Sequence, residues 1–133
     1  MTLVPGLHAE VGLTVADADT AIAAGSGDVP VLATPRLVAL AEAATVAAID
    51  SELGDGQTSV GTLVRLEHLR ASPIGTLVRV RAELVAVDGQ QLRFEVSALD
   101  AAGPVGRGEV VRVVVDRERF LDRLAQTPVV ERG

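Results

Sequence analysis

Apolar and polar residues alternate along several stretches of the chain, and each such stretch predicts a β-strand with one buried and one solvated face. In the first stretch, Val11, Leu13 and Val15 share a face. The predicted strands are residues 9–16, 58–71, 76–87, 91–99 and 105–116. The sequences SPIG, DGQ and DAAG separate the last four strands and are typical of the turns in antiparallel hairpins.

A helical pattern occurs between the first two strands, in TPRLVALAEAATVAAIDSELGDG. Thr34 is expected to cap this helix, Pro35 to occupy its first position and Gly54 to end it after about five turns. In its middle, only Glu42 and Thr45 interrupt a run of apolar and small residues. A helix that is apolar on all sides is expected to be buried on all sides, so the central carboxylate needs an explanation.

Two further segments complete the chain. Residues 17–33 mix small, acidic and glycine residues, and we expect an irregular connection that acts as a lid. Residues 117–125 are amphipathic and predict a short helix, with a tail that follows to residue 133. The order strand, helix, four strands predicts one α+β domain over residues 1–133. In it, a curved antiparallel sheet of about five strands wraps one long buried helix, which is the arrangement of the hotdog fold.

The composition excludes several kinds of chemistry. The chain has 133 residues, no cysteine and no lysine, so disulfides, thiolate metal sites and Schiff-base catalysis are excluded. Its net charge is −6 and its 12 basic residues, all arginine, are scattered, which argues against nucleic acid or an anionic membrane as partner. The first residues lack the features of a signal peptide, and no apolar stretch reaches the roughly 20 residues of a membrane span. A cytoplasmic protein is therefore expected.

The predicted strand at residues 58–71 carries a second candidate for chemistry. Its alternation places even positions, including His68, towards the helix, and odd positions such as Ser59 on the opposite side. An imidazole close to Glu42 would explain the buried carboxylate, because the two groups can share a proton. Burial would also raise the affinity of the carboxylate for protons towards the range of a general base. Structural explanations stay open: Glu42 could bond to backbone or line a subunit interface, and His68 could be a satisfied core residue. His8 is expected on the solvated face of another strand, so no metal site is predicted.

Several motifs together resemble the fluoroacetyl-CoA thioesterase family of hotdog enzymes. They are ATP with a glutamate eight positions after the threonine, SVGTLVRLEH, ASPIGT, GRGEVVR and RERF, within residues 11–128. The resemblance implies hydrolysis of an acyl-CoA thioester to a free acid and coenzyme A, with no cofactor beyond the coenzyme A of the substrate. It also implies a homodimer with its sites at the subunit junction. The site residues that it implies are Thr34, Glu42 and His68 as the catalytic group, and Gly61 and Arg112 for substrate binding. In this group Glu42 would act as a base on water or as the attacking carboxylate, His68 would orient it and transfer a proton, and Thr34 would assist at the acyl group.

Two features qualify what the resemblance implies. The fluoroacetyl-specific enzyme has phenylalanines in its lid, whereas residues 17–33 contain no aromatic residue, so we expect a different acyl group. Eight helical residues rise about 12 Å, so Thr34 and Glu42 on one straight helix cannot reach the same carbonyl. Either Thr34 lies in a loop that folds back, or the site combines two subunits.

The substrate contacts also leave alternatives. The N–H groups at the helix start and the backbone of Gly61 are candidate donors to the thioester oxygen, although a glycine in a strand could equally mark a bulge. Arg112 could bind the phosphate or pantetheine part of coenzyme A, or it could pair with an acidic neighbour.

Other functions are compatible with the same fold. A hotdog acyl-CoA hydratase also uses an acid–base pair, but the Asp and His signature usual in such enzymes is not found near the helix. A non-catalytic protein could hold an acyl-CoA or an apolar ligand in a dimer groove. A structural subunit could use Glu42 and His68 only to set the register of the dimer.

Overall fold

The chain folds in the predicted order of elements, with one short helix added before the long helix. The computed structural model describes residues 2–130, so the end of the predicted tail, residues 131–133, lies outside the described part. The elements are β1 (His8–Thr14), α1 (Ala21–Ala24), α2 (Thr34–Ile49), β2 (Gln57–His68), β3 (Leu77–Asp88), β4 (Gln91–Asp100), β5 (Gly103–Asp116) and α3 (Arg117–Ala125). Single 3₁₀ turns precede α1 and follow α2, at Asp17–Asp19 and Asp50–Glu52.

All five strands form one antiparallel sheet in the order β1-β3-β4-β5-β2, so β1 and β2 are its edges. The inner face uses every second residue of β3 and β4, because successive side chains on a strand point to opposite faces. These residues are Val78, Val80, Ala82 and Leu84 on β3, and Leu92, Phe94, Val96 and Ala98 on β4, all buried. The predicted α+β architecture, a curved sheet around one long helix, is confirmed.

Helix α2 packs one of its sides against β1 and β3. The residues buried on this side are Leu37, Leu40, Ala41, Ala44, Thr45, Ala48 and Ile49. On the opposite side Ala39, Ala43 and Val46 are exposed, so within one chain the helix is not buried on all sides as its composition predicted. Contiguous exposed apolar surface often marks an interface, and this side of α2 is therefore a candidate for one.

Both ends of α2 differ from the expectation. Ala33, in an extended conformation, is the N-cap residue, and Thr34 is the first helical residue with no capping bond from its side chain. The hydroxyl of Thr34 contacts a side chain of β2 instead, which is why it does not cap the helix. At the other end the α-helix stops at Ile49 and tightens into a 3₁₀ turn before Gly54, as the last turn of a helix often does.

The predicted lid contains a 3₁₀ turn and the short helix α1, whereas its residues 25–30 form neither helix nor strand, as expected of an irregular connection. Its two ends are joined by an antiparallel bridge between Thr20 and Leu32. The carboxylate of Asp19 accepts a hydrogen bond from the Ala16 N–H at 2.9 Å and another from Arg36 Nε at 3.0 Å. These bonds, that of the Ala16 backbone above all, lower the pKa of Asp19. The base of the lid is therefore closed on itself at Ala16 and tied to α2 through Arg36.

Strand β2 contains a bulge at Thr62, where its pairing with β5 shifts between Gly61 and Leu63. One extra residue reverses the alternation, because side chains on a strand have a period of two. After the bulge, His68 points towards the start of α2, as predicted. Before it, Ser59 and Gly61 face the helix, so the predicted placement of Ser59 on the outer side is wrong.

Residues 2–130 contain neither a membrane-spanning helix nor a cluster of metal ligands. None of the helices is both long and apolar enough to cross a bilayer. Within the same range, no three His, Asp or Glu side chains are grouped so that they could hold a metal ion.

Candidate active site

The start of α2 and the end of β2 bring Thr34 and His68 into direct contact. Thr34 Oγ1 lies 2.7 Å from His68 Nδ1, although 34 residues separate the two along the chain. Burial lowers the pKa of His68 below its ordinary value of 6.5, and the nearby backbone of Arg70 opposes this shift. The imidazole is therefore neutral at pH 7 and able to accept a proton.

The second ring nitrogen of His68, Nε2, is shielded from solvent and has no hydrogen-bond partner within residues 2–130. In the tautomer whose Nδ1 accepts from the Thr34 hydroxyl, Nε2 carries the proton. A buried donor without an acceptor costs about 1–3 kcal/mol, so the contact with Thr34 is made at the expense of an unpaired N–H. A hydroxyl held by a neutral imidazole is the arrangement of an activated nucleophile.

A second cluster lies further along α2, around Glu42. Arg112 of β5 places Nη1 3.4 Å from Glu42 Oε2, and its Nε and Nη2 donate to Ser59 Oγ and Ser59 O at 2.8 and 3.1 Å. Burial lowers the pKa of Arg112, and the Glu42 carboxylate opposes the shift, so the guanidinium remains charged. Arg112 thus pairs with an acidic neighbour, while Glu42, with a side chain 38% exposed in the single chain, is less buried than expected.

Gly61 provides the space for this cluster. It lies opposite Arg112 in the ladder between β2 and β5. A Cβ atom at residue 61 would overlap Glu42 Oε2. Because glycine has no side chain, the carboxylate can approach the backbone of β2 closely.

The two clusters remain apart within one chain. Glu42 lies eight residues after Thr34, a rise of about 12 Å along the helix. Among the described residues, no hydrogen bond or ion pair joins Glu42 to His68, so the expected contact between them is not found in the single chain. Thr34 is the first residue of the helix, so the folded-back loop is wrong. The other expected arrangement, a site that combines two subunits, stays a prediction.

A cleft of about 310 Å³ opens beside Thr34 and His68. Val29 and Val31 of the lid contribute to one wall, and Leu69, directly after β2, contributes to another. The cleft, which polar side chains such as Ser26 also line, therefore places an open binding space next to the hydroxyl of the threonine.

Ser59 is the site residue that the sequence did not identify. It accepts two hydrogen bonds from Arg112, one through its hydroxyl and one through its backbone carbonyl. The available signal was Gly61, two positions later, since a glycine inside a strand often accompanies a bulge. A bulge there would have placed Ser59 on the inner face.

Comparisons with known sequences identify the family of this chain. A family model described as FlK, fluoroacetyl-CoA-specific thioesterase, matches residues 15–118. The fluoroacetyl-CoA thioesterase of Streptantibioticus cattleyicolor is 38% identical over 96 residues, which represent 72% of this chain and 69% of that protein.

Solved structures agree with the sequence comparison. A structure of the fluoroacetyl-CoA thioesterase FlK has a TM-score of 0.88 at 32% identity and covers 96% of this chain and 100% of its own. A thioesterase superfamily member from Thermus thermophilus has a TM-score of 0.85 at 25% identity, covering 94% and 95%. A hot-dog-like protein from Thermanaerovibrio acidaminovorans, at 22% identity and a TM-score of 0.87, covers 96% and 94% and supports the fold alone. The chain therefore belongs to the FlK family within the hotdog thioesterase superfamily, and it is a thioester hydrolase.

Proposed function

We propose that this protein hydrolyses an acyl-CoA whose acyl group differs from fluoroacetyl. The observation that carries the proposal is the Thr34 hydroxyl, 2.7 Å from Nδ1 of a neutral His68 and beside an open cleft. Structures of FlK variants are complexes with acetyl-CoA and with fluoroacetate and CoA, which supports an acyl-CoA as substrate. The lack of any aromatic residue in the lid, residues 17–33, supports a different acyl group.

In the first step, Thr34 Oγ1 attacks the thioester carbon while His68 Nδ1 takes the hydroxyl proton. The carbon–sulfur bond then breaks, and coenzyme A leaves as a thiol after receiving that proton. Water next attacks the threonyl ester, which releases the free acid and restores the hydroxyl of Thr34. Backbone N–H groups in the first turn of α2 lack helical partners and can stabilise the negative charge on the attacked oxygen.

Glu42 acts as the base that takes a proton from water in the second step. Its negative charge is balanced by Arg112 and its position depends on the space at Gly61. Because Glu42 and Thr34 of one chain are about 12 Å apart along α2, the carboxylate that serves one threonine comes from the second subunit. The exposed apolar side of α2 and the free edge of β2 support a homodimer. A second copy would bury the apolar side chains of α2 and pair with the unpaired backbone groups of β2.

Release of thiol from short, branched and aromatic acyl-CoAs tests the proposed hydrolysis. Thr34→Ala and His68→Ala are each expected to lower kcat/KM by about 100-fold or more, or about 2.7 kcal/mol of transition-state stabilisation. His8→Ala is the matched control, because His8 is exposed on β1 and its ring nitrogen hydrogen-bonds to the Gly6 carbonyl, away from Thr34 and His68. In Glu42→Gln, mass spectrometry should find the acyl group on the threonine. Folded protein that releases thiol from none of these substrates would refute the proposal.

A mixing experiment tests whether the site combines two subunits. Thr34→Ala and Glu42→Gln should each be inactive, but a heterodimer of the two contains one site with both wild-type residues. With free exchange about half of the dimers are mixed, so the mixture should regain about one quarter of the wild-type activity. If both residues act from the same chain, the mixture will stay inactive.

A further inference from the structure

One residue at the base of the lid, Asp19, bonds to α2 on both sides of Thr34. The Asp19 carbonyl accepts a hydrogen bond from the N–H of Ala33, the N-cap residue of the helix, at 2.9 Å. Its carboxylate accepts another from Arg36 Nε at 3.0 Å, and Arg36 is the third residue of the helix. Asp19 therefore holds the residue before Thr34 and the residue two positions after it.

These bonds act at a helix end that has no side-chain cap. The N-cap residue is an alanine, and the hydroxyl of Thr34 is bonded to His68 instead of capping the helix. The first N–H groups of a helix have no helical partners, and helix ends fray where no other group holds them. The position of the Thr34 hydroxyl thus depends on groups outside the helix, among which Asp19 makes contact twice.

The Asp19 side chain is itself fixed in place. Its second carboxylate oxygen accepts a hydrogen bond from the Ala16 N–H at 2.9 Å, and the side chain is 13% exposed. The bonds from Ala16 and Arg36 lower the pKa of Asp19, so the carboxylate is ionised at pH 7. A hydrogen bond between an ionised carboxylate and a guanidinium is about twice as strong as one between neutral groups. Asp19 is therefore a firm support for the first turn of α2.

We infer that Asp19 is a positioning residue, which holds the Thr34 hydroxyl against His68 Nδ1. It acts through its bonds to Ala33 and Arg36 and does not touch the substrate. This inference rests on the proposed function, in which the Thr34 hydroxyl attacks the thioester. Without the Asp19 carboxylate the first turn of α2 can shift, and a shift of about 1 Å at a reacting group can cost about 100-fold in rate.

Titration of the histidines by NMR tests the inference without turnover. The chain has two, His8 and His68, and His68→Ala assigns their signals. A hydroxyl that donates to Nδ1 stabilises the neutral imidazole, so in Asp19→Ala the lowered pKa of His68 should rise towards 6.5. Loss of a negative charge alone would lower this pKa, so the direction of the change separates positioning from electrostatics. A pKa of His68 that falls or stays the same would overturn the inference.

Thiol release from an acyl-CoA that the wild type hydrolyses measures the effect on catalysis. Asp19→Ala should lower kcat/KM about 10- to 100-fold. Arg36→Ala keeps the bonds of Asp19 to Ala16 and Ala33, so it is the second variant if Asp19→Ala does not fold, and it should also lower kcat/KM. The double variant should lose no more than Asp19→Ala, because both changes break the same contact.

Asp17→Ala is the matched control, since it removes the same charge from the same 3₁₀ turn. Within residues 2–130 the Asp17 side chain makes no hydrogen bond or ion pair, and only its backbone carbonyl accepts one. This control should keep the kcat/KM of the wild type. Unchanged kcat/KM in both Asp19→Ala and Arg36→Ala would overturn the inference.

The titration and the hydrolysis assay separate this inference from the proposed function. A raised pKa of His68 in Asp19→Ala, with no thiol release by the wild type from any acyl-CoA, would refute hydrolysis and support the placement of Thr34 by Asp19. Hydrolysis by the wild type that neither variant slows would overturn the role of Asp19 and leave the proposed function standing.

Discussion

Replacing Gly61 by alanine is expected to lower the activity of this protein while leaving its stability nearly unchanged. The added Cβ would overlap Glu42 Oε2, so the carboxylate must move by about 1 Å to restore an ordinary contact. Because the Glu42 side chain is 38% exposed, it can turn towards solvent without disturbing the core. The substitution should therefore displace the proposed base and weaken its contact with Arg112.

The expected magnitudes differ for folding and catalysis. A partly exposed ion pair contributes at most about 1 kcal/mol to stability. Alanine in place of glycine offsets about 0.4–1 kcal/mol of this by restricting the unfolded chain. The free energy of unfolding should therefore change by less than about 1 kcal/mol. A misplacement of about 1 Å at a reacting group can cost about 100-fold in rate, and Glu42 is proposed to act after coenzyme A has left, so kcat of Gly61→Ala should fall roughly 10- to 100-fold.

Urea unfolding and thiol release on the same preparations measure the two effects. Gly12→Ala is the control, because a Cβ at Gly12 on β1 would lie 3.6 Å from Leu77 Cδ1, an ordinary contact. Both quantities should be close to those of the wild type in this control. Wild-type activity in Gly61→Ala at normal stability would refute the reasoning that the space at this glycine positions the carboxylate.

Three further predictions concern other parts of the site. Since burial lowers the pKa of His68, the neutral base persists below pH 6.5, and kcat/KM should fall as the pH decreases through a midpoint under 6.5; a midpoint above 6.5 would contradict this assignment. Arg112→Met removes the donor to Ser59 and the partner of Glu42, so urea titration should show a loss of about 1–3 kcal/mol, and an unchanged midpoint would argue against a stabilising cluster. Val46→Glu places a charge on the exposed apolar side of α2 and should produce monomers in sedimentation together with a loss of thiol release, whereas an unchanged dimer would exclude this interface.

The elements of the fold could be predicted because their patterns are local. The inner faces of β3 and β4 follow the alternation of the sequence, and α3 has the predicted bounds, Arg117–Ala125. Such patterns indicate which side chains are shielded from water, and they can be identified without knowing which strand or helix packs against them. The alternation of β2 pointed to His68 and the resemblance to the fluoroacetyl-CoA thioesterase family added Thr34, and the structure brings these two residues together.

The partners of the site residues could not be predicted in the same way. Glu42 and Arg112 are 70 residues apart, and no local pattern relates them. The sequence suggested His68 as the partner of Glu42, whereas within one chain the imidazole contacts Thr34. That choice depends on where the end of β2 lies relative to the start of α2, which only the packed sheet and helix determine.

The bulge at Thr62 shows most clearly what an alternating sequence pattern cannot predict. A pattern with a period of two cannot reveal an extra residue until the partner strand is known, and this one residue moved Ser59 to the inner face. Apolar residues in both phases of VVRVVVD likewise left the direction of Arg112 open until pairing with Gly61 decided it. The sequence by itself determined the type and order of the elements, because these depend on neighbouring residues. Only the tertiary structure decided which faces and side chains meet, because strand register is set by contacts between residues far apart in the chain.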